Sequence, residues 1–502
     1  MVSLARKSRA YTAGTLGNQL AFGLPEFEIL HKPQPFDVPR PTQARDELEQ
    51  KYSEIIQTNH WLDRTLVSFQ ANKDLPFYRW FKYREGFAAH MVKKVLGDLF
   101  SKPGKLLDPF AGAGSALFSA RELGWATTGI ELLPSAVFGI QARLISERMD
   151  NSEFARAVER FIGSNWRASK VTKSEFQHVR ITQGAFPDGT EDFLSKYLKF
   201  VRTSRFSPDV QLMLRFAAYC VLEDISYTRK DGQYLRWDYR SGRQLGQKKF
   251  DKGKIVPFET ALVQQLKTMV DDLFGENDGL FAEVAAEKIG PEPKLIEGSC
   301  LSELPKLKKA TFDCVFTSPP YCNRYDYTRT YALELAFLGC DEDHIKSLRQ
   351  QMLFCTVENK EKQNLQDQMG RTEFTAAHSV FTQQEALQEV LTIIDQLRDL
   401  GSLNNDGIAK LVRNYFYELN LVIRQAARVL KTGGYFVMVN DNVRYAGETV
   451  PVDTIMSEFA DAAGLQPLHI WKLGRGKGNS SQQMGVHGRT ELRKTICVWK
   501  KR

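Results

Sequence analysis

KLLDPFAGAGSALFSARELGWATTGIEL, residues 105–132, sets the frame for the whole chain. KLLDPF (105–110) reads as a buried strand, and the glycine turn AGAGS (111–115) follows at once. SALFSARELG (115–124) then reads as a helix and WATTGIEL (125–132) as a second strand. Strand, turn, helix and strand in this order form a βαβ unit, which belongs to an α/β, doubly wound and mostly parallel sheet. Gly112 and Gly114 permit a tight turn and let the backbone approach a ligand closely. No glycine stands at 117, so this turn is not the dinucleotide G-x-G-x-x-G pattern. Glu131 ends the second strand, where an acidic side chain commonly accepts hydrogen bonds from ribose hydroxyls.

The alternation continues with the helix PSAVFGIQARLISERM (134–149) and then stops for more than a hundred residues. It resumes with the strands KLIEGSC (294–300) and TFDCVFTS (311–318). A mostly helical stretch occupies 340–430, followed by the strand GGYFVMVND (433–441) and the helix TIMSEFADAAG (454–464). PLHIWKL (467–473) and LRKTICVW (492–499) close the sheet as a pair, with an antiparallel last strand. Upstream, 1–76 is an N-terminal arm with a helical pattern near 43–57. The expected organisation is therefore 1–76, 77–150, an insertion over 151–293, 294–339, a helical segment over 340–430, and 431–502.

TFDCVFTS runs directly into PPY. Two prolines stop a ladder abruptly, because they supply no N–H. In doubly wound sheets, ligands bind beyond the carboxyl ends of neighbouring strands. If KLLDPF is the first strand and FDCVF the fourth, they lie side by side, and the glycine turn and SPPY face one crevice.

DPFAGAG, then Glu131, then TSPPY after a strand, resembles the amino-group DNA methyltransferases that use S-adenosyl-L-methionine. FYRWFKYREGFAAHMV (77–92) resembles that family's N-terminal segment closing over the cofactor, and the last strands resemble the end of its Rossmann-like sheet. The resemblance implies a cofactor site of Asp108, Pro109, Phe110, Gly112, Gly114 and Glu131. Ser299 stands where the family often carries an acid, so the contact to the cofactor adenine is either a neutral hydrogen bond or absent. It implies a catalytic Ser318, Pro319, Pro320 and Tyr321. An exocyclic amino nitrogen is a poor nucleophile, because its lone pair is delocalised into the ring. Ser318 and the Pro319 carbonyl can accept its hydrogens, and proline rigidity fixes those acceptors in advance. Tyr321 offers a face for a base taken out of the duplex. A sulfonium methyl needs neither a metal nor a covalent enzyme intermediate. Transfer to C5 of cytosine would need a cysteine nucleophile, and Cys322 reads instead as a small packed residue.

In the family that the chain resembles, a Ser at the first position is more common for N4 of cytosine and Asp or Asn for N6 of adenine, so the resemblance implies N4 of cytosine, with N6 of adenine as the alternative. An RNA amino-methyltransferase shares the glycine turn and the proline pair, usually with Asp or Asn first. The serine and the large insertion favour DNA. A non-catalytic nucleic-acid-binding protein on the same fold need not retain DPFAGAG, Glu131 and SPPY together. Double-stranded DNA is thus the expected partner, with a cognate restriction endonuclease acting separately.

Within the insertion, YTRKDGQYLRWDYRSGRQLGQKKFDKGK (227–254) carries nine Lys or Arg against three Asp, with aromatics between them. Basic residues can contact phosphates, and Arg and aromatics can read or wedge bases. Arg229, Lys230, Arg236, Trp237, Arg240, Lys248 and Lys249 are the expected DNA contacts. Arg324 and Arg329, after SPPY, are expected near the base pocket, and 340–410 can add further contacts. The net charge of +8 and pI near 8.9 are compatible with a polyanionic partner. Seven scattered cysteines without a CxxC pair indicate neither a zinc site nor a disulfide framework, which fits a reducing, cytoplasmic setting. Neither a secretory signal nor a membrane-spanning run is legible.

Overall fold

The structure is a computed structural model. It describes residues 38–171, 174–231, 234–243, 249–275, 289–474, 477–478, 487–488 and 490–502. Eight strands form the main sheet: β1 (Ile56–Thr58), β2 (Lys105–Asp108), β3 (Ala126–Glu131), β4 (Lys294–Glu297), β5 (Phe312–Thr317), β6 (Leu430–Asp441), β7 (Leu465–Lys472) and β8 (Lys494–Lys501). Their order is β1-β7-β8-β6-β5-β2-β3-β4. β8 runs antiparallel to both neighbours, and every other adjacent pair is parallel. The α/β doubly wound sheet with an antiparallel closing strand is therefore present. Among the described residues between β7 and β8 no helix lies across the sheet, and the chain returns antiparallel.

Strand periodicity divides the core. Leu106, Cys314, Phe316, Val437, Val439, Ile496 and Val498 face one side, against the helices Ala89–Leu99 and Ser115–Arg121. Leu107, Val315, Phe436, Met438, Cys497 and Trp499 face the other, against Glu385–Asp399, Gly407–Val429 and Val452–Ala462. Trp499 is fully buried, with its ring edge-on to Phe436 at 5.1 Å. Truncating it to alanine would cost about 3–5 kcal/mol.

Within 151–275 the described residues add helices Asn151–Gly163, Thr190–Thr203, Pro208–Cys220 and Phe258–Gly275 and the hairpin Thr228–Asp231/Tyr234–Trp237, and no strand of the main sheet. These helices share a core with Trp80, Phe81, Tyr83 and Tyr331. The segment 77–92 is thus held between the insertion and the sheet.

One expected element differs. The helix near 43–57 ends at Tyr52, and Ile56–Thr58 is a strand. Ile56 lies beside Ile470, and Ile55 accepts the Ile470 N–H at 2.8 Å. The open edge of β7 offers backbone partners, and β-branched Ile and Thr suit an extended edge better than a helix end. Among the described residues, no helix is long and apolar enough to cross a membrane.

Candidate active site

β2 and β5 are adjacent and parallel, with Leu107 beside Val315. Both strands end at one cleft that is open to solvent. Asp108, Pro109, Phe110, Gly112, Glu131, Ser299, Ser318 and Pro320 all line it, as do Tyr83, Glu85 and Phe87 from the N-terminal segment. Two elements far apart in sequence are tied directly: Thr317 Oγ1 donates to Asp108 Oδ1 at 2.6 Å.

The turn after β2 is built around a carboxylate. Gly112 N–H donates to Glu131 Oε2 at 2.7 Å, and Leu132 and Leu133 N–H donate to Oε1 at 2.9 and 2.8 Å. Gly112 has φ +53°, and a Cβ there would lie 2.9 Å from Tyr83 Cε1. Gly114, at φ +82°, caps the helix Ser115–Arg121, and a Cβ on it would meet Phe118 at 2.8 Å. Both positions therefore need glycine. Burial pushes the Asp108 carboxyl up to about 7, against the bonds from Thr317 and Phe110 N–H. Burial likewise pushes Glu131 up to about 7, against its three backbone donors and with a small push from Asp108. Two buried acids at one cleft suit a cationic ligand, which would favour their charged forms. Ser299 Oγ donates to the Gln351 carbonyl at 2.7 Å, so its lone pairs are what it offers the cleft.

At the SPPY end, Pro319 and Pro320 are buried and Tyr321 is half-buried. Ser318 Oγ donates to the Tyr321 phenol oxygen at 3.0 Å. Cys322 is fully buried, and burial pushes its thiol well above the ordinary range, as a packed residue and not a nucleophile requires.

The sequence reading missed two charged groups here. Glu85 is the one acid in FYRWFKYREGFAAHMV. It accepts from both Tyr325 and Tyr331 hydroxyls, and burial raises its carboxyl. Tyr331 also stacks on Tyr83 at 5.1 Å. An isolated acid in an aromatic run was the available signal. The second is Lys494, whose ammonium lies 3.2 Å from the Tyr321 hydroxyl and 3.3 Å from Asp441 Oδ1.

The chain is 44% identical over 456 residues to the Type II methyltransferase M.AvaI of Nostoc sp. (strain PCC 7120), covering 90% of this chain and 92% of that protein. The chain belongs to the Type II methyltransferases. The same identity and coverage hold for M.AvaI of Anabaena variabilis. The Type II methyltransferase M.BsoBI of Geobacillus stearothermophilus is 38% identical over 482 residues, 92% of each chain. No family model matches the chain. The protein is thus a restriction–modification DNA methyltransferase.

Around the methyltransferase cleft, the basic hairpin departs from the expectation in part. Lys230 is buried, paired with Glu334 and with Glu223 at 3.4 Å, and its ammonium sits 5.0 Å from the Tyr331 ring. Against the penalty of burial, these two acids hold it above its ordinary range. Trp237 is also buried, under the Arg243 guanidinium at 3.7 Å. Neither side chain has a surface for a duplex, because the hairpin packs against the helix Tyr327–Thr330 and uses them as core. Arg240 is chelated by Asp238 at 2.7 and 2.9 Å. Arg236 pairs with Asp231 at 2.9 Å and covers Phe250. Arg229 and Lys249 are exposed, and Lys248 lies outside the described residues. Arg324 has φ +64° and reaches Asn404 at 3.4 Å. Arg329 pairs with Asp326 at 3.3 Å and Glu358 at 3.0 Å.

Proposed function

We propose that this methyltransferase transfers a methyl group from S-adenosyl-L-methionine to an exocyclic amino group in double-stranded DNA, N4 of cytosine, on a base rotated out of the helix. The observation that carries this reading is the Thr317–Asp108 bond, which joins the SPPY strand to the glycine-turn strand at one cleft.

The residues fit the cofactor. A side chain at Gly112 would collide with Tyr83, so bare backbone lets Tyr83 pack on the turn where both line the cleft. Asp108 and Glu131 supply negative charge, and Pro109, Phe110, Gly114 and Ser299 complete the holding set. When bound, S-adenosyl-L-methionine supplies a methyl group on a positively charged sulfur. The chain's part is to present the nucleophile. Ser318 gives its hydrogen to Tyr321, which leaves lone pairs for an amino hydrogen. The Pro319 carbonyl is the second acceptor, and Pro320 keeps the loop rigid, so neither acceptor reorganises during transfer. The Tyr321 ring is the stacking face. Taking the base out of the stack is required because its amino group is otherwise paired.

Serine at position 318 supports cytosine over adenine N6. Arg229, Arg236, Lys249 and Arg324 are the contacts we place along the duplex, with 340–410 as a second recognition surface. A separate endonuclease of the same specificity is the partner such an enzyme implies, and both would act in the cytoplasm.

The test is to methylate genomic DNA with the purified protein and sequence it by a method that separates N4-methylcytosine from N6-methyladenine. N4-methylcytosine at one recurring site is expected. N6-methyladenine alone would overturn the base assignment, and transfer to total RNA in preference to duplex DNA would overturn the substrate.

A further inference from the structure

β8 is antiparallel to the strands beside it, so its first residue lies at the carboxyl end of β6, next to β5 in the sheet. That first residue is Lys494, the register partner of Asp441 at the end of β6. Its ammonium lies 3.3 Å from Asp441 Oδ1, 3.2 Å from the Tyr321 hydroxyl and 4.9 Å from the Tyr321 ring centre. The phenol oxygen of Tyr321 is therefore held from two sides, by Lys494 and by Ser318 at 3.0 Å.

We infer that Lys494 is a positioning residue: anchored on Asp441, it fixes the Tyr321 phenol so that the ring and Ser318 are set for the target base. The inference rests on the base-pocket reading above. An ammonium has three hydrogens and no lone pair, so it acts on the phenol only as a donor. A tyrosine tied at its hydroxyl cannot swing its ring away from the loop. Asp441 neutralises the lysine as a pair, so the support adds no net charge beside the loop. Lys494 is largely shielded, and its two partners, against the penalty of burial, hold the ammonium above its ordinary range. The ammonium is therefore favoured as a charged donor to the phenol.

A double-mutant cycle tests this with single-turnover methyl transfer to duplex DNA, enzyme and cofactor in excess. Lys494→Met should slow the transfer step about tenfold, the scale of one lost hydrogen bond. S-adenosyl-L-methionine affinity by calorimetry should stay within about twofold of wild type. In a Tyr321→Phe background, where no hydroxyl remains to hold, the same change should cost less than about twofold. Equal loss in both backgrounds, or no loss in either, overturns the positioning role. Should Lys494→Met fail to fold, Asp441→Asn removes the anchor and should show the same dependence on the Tyr321 hydroxyl. Tyr321→Ala separates the two readings. If it turns over like wild type, the base pocket itself is misplaced. If it is inactive while Lys494→Met is unimpaired, only the positioning role fails.

Discussion

The backbone N–H of Gly112 donates to Glu131 Oε2 at 2.7 Å, which closes the turn after β2 onto the end of β3. One carboxylate thereby shapes the loop that the cofactor is proposed to meet. Gly112→Val places a branched side chain 2.9 Å from Tyr83 at a φ of +53°. We expect cofactor affinity to fall at least tenfold by calorimetry, since both the approach and the conformation are lost. Gly97→Ala, where a Cβ meets nothing within 4 Å, is the matched control and should bind normally. Unchanged affinity in Gly112→Val would remove this turn from the cofactor site.

Asp108 and Glu131 give the cleft a pH dependence. Burial raises both carboxyls to about 7 from ordinary values of 3.8 and 4.5. Between those limits the folded state binds more protons than the unfolded state, so stability falls as pH rises from about 4 to about 7 and then levels. A cationic ligand favours the ionised acids, so cofactor affinity should rise from pH 6 to pH 8. Calorimetry in buffers of different ionisation enthalpy should register proton release near neutrality. Glu131→Gln should weaken binding and flatten this profile. An identical pH profile in the variant would show that Glu131 does not titrate with the ligand.

Tyr321→Ala should retain cofactor binding and lose turnover. The loss of base stacking is about 1–3 kcal/mol, measurable as weaker binding of duplex carrying an unpaired target base. Collapse of cofactor binding with base affinity intact would reverse the assigned roles.

Lys230 and Lys249 should behave oppositely although both lie in one basic run. Lys230→Ala leaves Glu334 buried without its partner, a loss of about 3–5 kcal/mol visible in urea unfolding. Lys249→Ala should leave stability unchanged and reduce the salt dependence of DNA binding by about one unit of slope, as for one lost phosphate contact. If Lys249→Ala binds DNA with the wild-type salt slope, the 227–254 stretch is off the duplex and recognition belongs to 340–410.

The sequence by itself determined seven of the sheet's eight strands and that two of them, ending in the glycine turn and the proline pair, lie side by side. Apolar runs ending in a glycine turn or a proline pair are local signals, because alternation of burial along a strand and the backbone limits of Gly and Pro act within a few residues. The pairing of KLLD with FDCVFT followed from the switch-point rule. Tertiary structure alone decided what each charge does. Lys494 and Tyr321 are 173 residues apart and meet only because β8 runs antiparallel. Lys230 and Lys249 look alike in a basic run, yet one is enclosed by Glu334, Glu223 and Tyr331 and the other faces solvent. Ile56–Thr58 became a strand because β7 left an edge to pair. A charge or a backbone edge takes its partner from whichever distant segment packs against it, and no periodicity in the sequence encodes that choice.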